Sequence, residues 1–264
     1  MTLAAATLDT PLASSPIAMA GRVAAAAPPP AVHAAPPRIQ YTHTRVVPAA
    51  RLALHERVGV VRADRSELAE AFKMLRNQVL QRMRADGHRV LAVTSPRPIA
   101  GKSLSALNLA LAIAADFDST ALLVDADLGG QGLQHVFGLD HAPGLGDHLL
   151  SGVPIPELLV NPGIERLVFL PAGSAAVAQS AELLSTRVTR ELVNEMKSRY
   201  DDRIIVVDLP AALSTADALA FLPLADTTLV VIEEHTTRMA DIESLAALLA
   251  PFELVGTVMA RPLG

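Results

Sequence analysis

VLAVTSPRPIAGKSL, the stretch from residue 90 to residue 104, decides the fold of this chain. An apolar run leads into Gly101-Lys102-Ser103, and a helix-like segment follows. This order of strand, loop and helix is that of a phosphate-binding P-loop. Backbone N–H groups of such a loop surround phosphate oxygens, its lysine reaches the β- and γ-phosphates, and its hydroxyl binds Mg²⁺. The predicted nucleotide-binding residues are Ala100, Gly101, Lys102, Ser103 and Leu104.

Composition argues against other classes of protein. The chain has 264 residues, of which 51% are hydrophobic, enough for a buried core in one domain or at most two. No apolar run reaches the ~18 residues of a membrane-spanning helix, and the N-terminus lacks the pattern of a signal peptide. The absence of cysteine fits a reducing compartment. A net charge of −5 and 3% aromatic residues disfavour nucleic acid as a partner. We therefore expect a cytoplasmic protein without a membrane span.

Residues 1–50 differ in composition from the rest of the chain. They are rich in Ala, Pro, Ser and Thr, include Pro28-Pro29-Pro30 and Pro36-Pro37, and show no apolar periodicity. Such a composition favours extended chain over a packed core. The sequence predicts a disordered tail over residues 1–50 and a folded domain over residues 51–264.

Short apolar runs alternate with helical patterns along the predicted domain. The first helix places Leu68, Phe72, Leu75 and Val79 on one face and ends at Gly87. Continuous apolar runs suit parallel strands that are buried on both faces, and helices between them imply a doubly wound, mostly parallel α/β sheet. The predicted strands are Val90–Val93, Ala121–Val124, Leu167–Leu170, Ile204–Val207, Thr228–Ile232 and Val255–Met259.

Acidic or phosphate-binding residues follow three of these predicted strands. Lys102 and Ser103 follow the first, Asp125 and Asp127 end the second, and Asp208 ends the Ile204–Val207 strand. Ligands of open α/β sheets bind at the carboxyl ends of the strands, so these groups should meet in one crevice. A single aspartate there is commonplace, since aspartate starts turns and caps helices. It is the ordered set, with lysine and serine on one strand end, that predicts a Mg²⁺–nucleotide site.

Motifs spread over residues 64–264 together resemble one protein family. The stretch LLVDADL at 122–128 is close to a Walker A′ element, and Glu70, Lys73 and Arg76 lie where a Glu-x-x-Arg-x-x-Arg oligomerisation helix would have them. The stretches LPAG at 170–173 and RYDDR at 199–203 add to the likeness. The set resembles the bacterial tyrosine kinases (BY-kinases) of capsule and exopolysaccharide synthesis, most of all the exosortase-associated branch.

The resemblance implies a P-loop fold and an ATP-dependent protein-tyrosine autokinase that regulates polysaccharide polymerisation or export. It implies that Lys102 stabilises the transferring phosphate and that Asp125 is the base for the incoming hydroxyl. It also implies that Ser103, Asp127 and Asp208 bind Mg²⁺. Lys102, Asp125, Asp127 and Asp208 are therefore the predicted catalytic residues, and ATP and Mg²⁺ the predicted ligands.

The resemblance further implies protein partners. These are other copies of the chain, joined in a ring through Glu70, Lys73 and Arg76, and the cytoplasmic segment of a membrane polysaccharide co-polymerase or chain-length protein. Recruitment by that partner would place a cytoplasmic protein at the inner membrane. Tyr41 in the predicted tail is a candidate phosphosite, whereas Tyr200, just before a predicted core strand, is expected to pack.

The sequence also departs from the family. Pro96 stands where the full P-loop pattern has glycine, and Ile99-Ala100 replaces a usual Gly-Glu. If position 99 required a positive φ, a β-branched residue there would be strained by ~1–2 kcal/mol or more. Gly129 stands where an arginine follows Asp-x-Asp, and the chain lacks the family's C-terminal tyrosine cluster.

Two alternatives to a working kinase remain open at this point. The departures fit a catalytically degenerate nucleotide-binding or scaffold protein of the same polysaccharide system. A partitioning or positioning ATPase is the other alternative, because Arg97 lies five residues before Lys102, where those proteins carry a signature lysine. Arginine does not replace lysine equivalently, and residues 238–250 have the pattern of a core-packing helix with little basic charge.

Overall fold

A computed structural model describes residues 45–46, 67–130, 132–199 and 202–260 of the chain. Tyr41, Tyr200 and most of the predicted tail lie outside the described residues, so the predicted phosphosite and the predicted disorder stay predictions. Within the described ranges, no helix has both the length and the apolar character needed to cross a bilayer.

The described chain alternates strands and helices as the sequence predicts. The strands are β1 (Arg45–Val46), β2 (Val90–Thr94), β3 (Thr120–Asp125), β4 (Val160–Asn161), β5 (Leu167–Leu170), β6 (Arg203–Asp208), β7 (Thr227–Glu233) and β8 (Leu254–Ala260). The helices are α1 (Glu67–Asp86), α2 (Ala100–Ala114), α3 (Leu133–Val136), α4 (Leu145–Ser151), α5 (Ile155–Leu158), α6 (Ser180–Leu184), α7 (Arg187–Ser198), α8 (Asp217–Phe221), continued by a 3₁₀ turn at Leu222–Leu224, and α9 (Met239–Leu249).

The described strands form one sheet of eight in the order β1-β4-β5-β3-β6-β2-β7-β8. Their pairings are parallel except that of β4 with β5, which is antiparallel. A mostly parallel sheet flanked by helices was predicted, and it is confirmed. The strands β3, β6 and β2 are consecutive neighbours in the sheet. Because they are parallel, their carboxyl ends lie side by side.

Hydrophobic layers cover both faces of the sheet. Leu122 and Val124 of β3 belong to one buried cluster, and Ala121 and Leu123 belong to the other. Successive side chains of a strand point to opposite faces, so the two clusters lie on opposite sides. Burial on both faces is the reason why these strands read as continuous apolar runs in the sequence.

The face of helix α1 that packs against the core differs from the predicted face at one position. Phe72 and Leu75 pack against the core and Val79 is buried, but Leu68 is 40% exposed, and the prediction that it faces the core is wrong. Ala69 is the buried residue of the first turn, so the inward face of the helix begins one position later. Helix α9 packs inward through Leu245 and Leu249, as the core-packing pattern predicted.

Candidate nucleotide site at the carboxyl edge of the sheet

The sheet brings the predicted site residues to one edge. Asp125 at the end of β3 and Asp208 at the end of β6 are partners in register, and Asp208 also lies opposite Val93 of β2. The P-loop continues from β2 into α2, whose first turn carries Lys102 and Ser103. Side chains that are separated by more than 100 residues in the chain therefore meet because their strands are neighbours.

Lys102 is the cation at the centre of this edge. Its Nζ donates to Asp208 Oδ1 at 2.6 Å and to Ser103 Oγ at 3.1 Å. The side chains of Lys102 and Asp208 are 6% and 0% exposed, so this is a buried ion pair. Asp208 Oδ2 is buried and has no hydrogen-bond partner among the described residues. One carboxylate oxygen thus remains available to a further ligand.

Hydrogen bonds tie the first part of the P-loop to the segment after β6. Thr94 Oγ1 donates to Pro210 O at 2.8 Å, and Ala212 N donates to Ser95 O at 2.9 Å. Ser95 Oγ donates to Arg97 O at 2.8 Å, which closes a turn around Pro96. The loop is therefore hydrogen-bonded to the segment that follows Asp208, a predicted Mg²⁺ ligand.

Ile99 is not strained in this loop. Its φ of −137° and ψ of 142° are extended backbone, and α2 begins at the next residue. A residue that precedes the first helical turn takes such angles, so position 99 does not require a positive φ and the strain that a β-branched residue would then carry does not arise. The Ile99 side chain packs against the hydrophobic cluster beneath α2.

Asp125 is completely buried at the end of β3. Its carboxylate accepts weak hydrogen bonds of 3.3 Å from the backbone N–H groups of Asp127 and Gln134. Burial raises the pKa of Asp125 to about 7, the charges of Asp208 and Asp127 act in the same direction, and Lys102 opposes them. Burial also raises the pKa of Asp127. The two strand ends therefore concentrate negative charge around one lysine.

Two glycines fit closely around these carboxylates. A β-carbon at position 130 would lie 2.7 Å from Asp127 Oδ1, and one at position 132 would lie 2.7 Å from Asp125 Oδ2. A β-carbon at Gly129 would have no atom within 4 Å among the described residues. Gly130 and Gly132 are thus part of the site, although neither stands in a recognisable motif.

Asp217 is another residue of this region that the sequence did not single out. It is the first residue of α8, only 7% exposed, and its charge contributes to raising the pKa of Asp127. Because it follows a turn and begins a helix, its sequence context is that of an ordinary helix start. The region thus holds one buried lysine, Lys102, and four aspartates, which are Asp125, Asp127, Asp208 and Asp217, within the described chain.

This donor set fits a magnesium ion. Mg²⁺ prefers oxygen ligands and is usually held by one or two carboxylates together with substrate phosphates and water. Ser103, Asp127 and Asp208 offer a hydroxyl and carboxylates, and the buried Asp208 Oδ2 has no partner within the described ranges. The carboxylates that surround Lys102 also raise one another's pKa values, and a bound cation would relieve that repulsion.

The predicted oligomerisation residues lie apart from this edge, on α1. Lys73 Nζ donates to Glu70 Oε1 at 2.7 Å, and both side chains are largely exposed. Arg76 donates through Nη1 to Ala112 O at 3.2 Å and through Nη2 to Asn77 Oδ1 at 2.8 Å. The guanidinium of Arg76 is thus turned towards its own chain.

Comparison with known proteins gives close relatives but no matching family model. The chain is 36% identical over 176 residues to the succinoglycan biosynthesis transport protein ExoP of Rhizobium meliloti (strain 1021), over 66% of this chain and 22% of ExoP. It is 31% identical over 169 residues to the tyrosine-protein kinase YwqD of Bacillus subtilis (strain 168), over 63% of this chain and 70% of YwqD. The crystal structure of the VpsO kinase domain matches with a TM-score of 0.66 at 27% identity, over 74% of this chain and 96% of that chain. The chain thus spans about a fifth of the length of ExoP and most of the length of YwqD.

Proposed function

The chain belongs to the bacterial tyrosine kinases of capsule and exopolysaccharide synthesis, and on that basis we propose that it is an ATP-dependent protein-tyrosine autokinase that regulates exopolysaccharide or capsule biosynthesis. The observation that carries the proposal is the buried ion pair of Lys102 with Asp208, with Ser103 in hydrogen-bond contact and Asp125 in register beside Asp208. A fold of this kind needs no such concentration of buried charge for its own stability, since buried ion pairs contribute little net stabilisation.

The residues of the edge divide into phosphate binding and metal binding. The backbone N–H groups at the start of α2, from Ala100 to Leu104, would bind phosphate oxygens, because the amino end of a helix favours anions. Ser103, Asp127 and Asp208 would hold Mg²⁺, which when bound neutralises phosphate charge. Lys102 would exchange its contact with Asp208 for the β- and γ-phosphates.

Asp125 is the proposed general base. It lies at the same edge as Lys102 and is fully buried, and its carboxylate accepts two weak hydrogen bonds from the described part of the chain. The oxygen of the tyrosine hydroxyl would attack the γ-phosphorus of ATP, the bond from that phosphorus to the bridging oxygen of ADP would break, and the hydroxyl proton would pass to Asp125. The products are phosphotyrosine and ADP.

The proposed partners follow from the family and from α1. The cytoplasmic segment of a membrane chain-length protein or polysaccharide co-polymerase would recruit this protein to the inner membrane from the cytoplasm. Glu70 is exposed, Lys73 is partly exposed, and the two pair only with each other among the contacts that the structure describes, so a second copy can replace those contacts. A ring would join such copies through Glu70, Lys73 and Arg76, and Tyr41 would be a phosphate acceptor.

The alternative is a nucleotide-binding or scaffold protein without kinase turnover. Pro96 and Gly129 at positions of family motifs are the observations that favour it. The partitioning ATPase is less well supported, because Arg97 Nε donates to Asp241 Oδ1 at 3.0 Å within the same chain. An arginine that is engaged in this way is not extended towards a second subunit.

Calorimetric titration of MgADP and MgATP into the full chain tests the nucleotide site. We expect micromolar binding that is lost in Lys102→Met and kept in Lys73→Ala, a matched change of an exposed lysine on α1. Circular dichroism of each variant checks that it is folded. Absence of binding by the wild-type chain would contradict the nucleotide site and favour a scaffold.

Autophosphorylation tests the kinase proposal itself. With MgATP and the cytoplasmic segment of the membrane partner, phosphotyrosine should accumulate on the wild-type chain and not on Lys102→Met. Tyr41→Phe should remove the signal, and Tyr200→Phe should keep it. If nucleotide binds but no phosphotyrosine forms on the chain or on its partner, the protein is a nucleotide-binding scaffold instead.

A further inference from the structure

We propose that Asp86, His88 and Glu253 form a binding site for one divalent transition-metal ion of the Zn²⁺ type, separate from the nucleotide site. Asp86 is the last residue of α1, His88 follows it just before β2, and Glu253 directly precedes β8. These positions lie where the strands begin, whereas the P-loop and the aspartates lie where strands end. The two sites are therefore at opposite edges of the sheet.

The spacing of the ligand atoms supports the site. Each of the three residues offers one ligand atom, and these atoms lie within 4.8 Å of one another. His88 Nδ1 and Glu253 Oε1 are 3.6 Å apart, which is too long for a good hydrogen bond. Two ligands of a tetrahedral zinc ion are about 3.3 Å apart, given bonds of about 2.0 Å. Small side-chain rotations of the exposed Asp86 and Glu253 would bring all three to that distance.

The backbone holds two separate segments together at this point. Gly87 has a φ of +70° and ends α1, which lets His88 N donate to Met83 O at 2.7 Å. Glu253 O accepts from Thr228 N at 2.8 Å, and this bond fixes the entry to β8. Arg82 of α1 also donates to Val255 O of β8. The ligands thus come from rigid positions rather than from a long loop.

Local charge favours a cation there. The carboxyl end of a helix carries partial negative charge, and Asp86 adds a full negative charge to the end of a 20-residue helix. The Asp86 carboxylate has no hydrogen-bond or ion-pair partner among the described residues. Asp86 and Glu253 are both exposed, so a small ion can reach the ligand atoms from solvent.

The imidazole determines the class of metal. Imidazole suits Zn²⁺, Cu²⁺, Fe²⁺ and Ni²⁺, whereas Mg²⁺ prefers an all-oxygen environment. Three protein ligands and a water complete a tetrahedral zinc site. A bound ion would tie the end of α1 to the start of β8 and would stabilise the fold, since a preformed site is absent from the unfolded chain. It would thereby fix the helix that carries Glu70, Lys73 and Arg76.

The test uses Zn²⁺ alone with the full chain and without nucleotide. Competition with a chromophoric chelator should show one Zn²⁺ per chain. His88→Ala and Glu253→Ala should each weaken binding by at least about tenfold, because even the loss of an outer-shell partner of a metal ligand costs this much. His235→Ala is the matched control, since exposed His235 lies 3.8 Å from Glu234 and has no third ligand nearby in the described chain.

Two further readouts separate metal binding from a structural effect. Zn²⁺ should raise the melting temperature of the wild-type and His235→Ala chains and leave that of His88→Ala and Glu253→Ala unchanged. Co²⁺ should give the visible absorption of a tetrahedral ion with the wild-type and His235→Ala chains and not with His88→Ala or Glu253→Ala. Failure of the wild-type chain to bind one Zn²⁺, or full binding by both ligand variants, would overturn the site.

Discussion

Lys102 Nζ lies 2.6 Å from Asp208 Oδ1, and the same nitrogen lies 3.1 Å from Ser103 Oγ. The lysine ammonium thus bonds to Asp208 and Ser103, two of the three residues that are proposed to hold Mg²⁺. A bound magnesium ion and a lysine ammonium would compete for these oxygens, so entry of Mg²⁺–nucleotide must draw Lys102 towards the phosphates. The ion pair keeps the charges of the site compensated until the phosphates arrive.

The first prediction concerns this buried pair. Lys102→Met should lower the free energy of unfolding by about 3–5 kcal/mol, because it leaves Asp208 buried without its cation. The double variant Lys102→Met/Asp208→Asn should recover much of that loss, because it removes both charges. Urea unfolding without nucleotide gives the free energy of unfolding of the wild-type chain, of Lys102→Met, of Asp208→Asn and of the double variant. Additive effects of the two single changes would show that the residues do not interact.

The second prediction concerns Ile99. Because Ile99 is extended and packs against the core, Ile99→Gly should destabilise the chain rather than relieve strain, by about 1–3 kcal/mol. Ile99→Val, which keeps most of the packing, should cost about 0.5–1.5 kcal/mol. Thermal unfolding distinguishes them. A higher melting temperature for Ile99→Gly would mean that position 99 is strained after all.

The strands show which parts of the fold the sequence could predict and which it could not. The six apolar runs were recognisable because parallel strands buried on both faces need continuous apolar residues. The strands β1 and β4 have two residues each, too few to carry any periodicity. Leu68 and Ala69 are both apolar, so the pattern could not decide which of them faces the core.

The candidate site likewise contains some residues that the sequence could predict and others that it could not. Lys102, Ser103 and the aspartates at the ends of β3 and β6 were predictable, because the topology of an open sheet brings strand ends together. The roles of Gly130 and Asp217 depend on how a turn and a short helix approach Asp127, which no local pattern encodes. The sequence could not decide the backbone of Ile99, because the glycine usual at this position permits a positive φ that this helix start does not need.

The third prediction concerns Asp226, which lies before β7. Its Oδ2 accepts from the backbone N–H groups of Arg89 and Val90 at 2.8 and 2.9 Å, and its Oδ1 accepts from Lys197 Nζ at 2.5 Å. Burial alone would raise the pKa of Asp226, but the hydrogen bonds from Lys197, Arg89 and Val90 outweigh it and leave the pKa lowered. The ionised carboxylate therefore stabilises the folded state.

A lowered pKa gives the sign of the pH dependence. The stabilisation is fully present above the ordinary pKa of aspartate, about 3.9, and disappears as the pH falls through the lower folded value. Asp226→Asn should lower the free energy of unfolding at pH 7 by about 1–3 kcal/mol, and it should flatten the loss of stability in acid. Unfolding curves between pH 7 and pH 2 measure this. The exposed Asp118→Asn is the control, and an equal acid response of all three chains would contradict the assignment.

The fourth prediction compares three neighbouring glycines. Gly130→Ala and Gly132→Ala each place a methyl group 2.7 Å from a carboxylate oxygen, of Asp127 and of Asp125 respectively, so these side chains must move. Gly129→Ala meets no atom within 4 Å in the described structure and should leave MgADP affinity unchanged. The other two variants should weaken it by about tenfold, equivalent to ~1.4 kcal/mol. Calorimetric titration of MgADP gives the affinity of each of the three variants. If all three bind MgADP equally well, Asp125 and Asp127 need not keep these positions for nucleotide to bind.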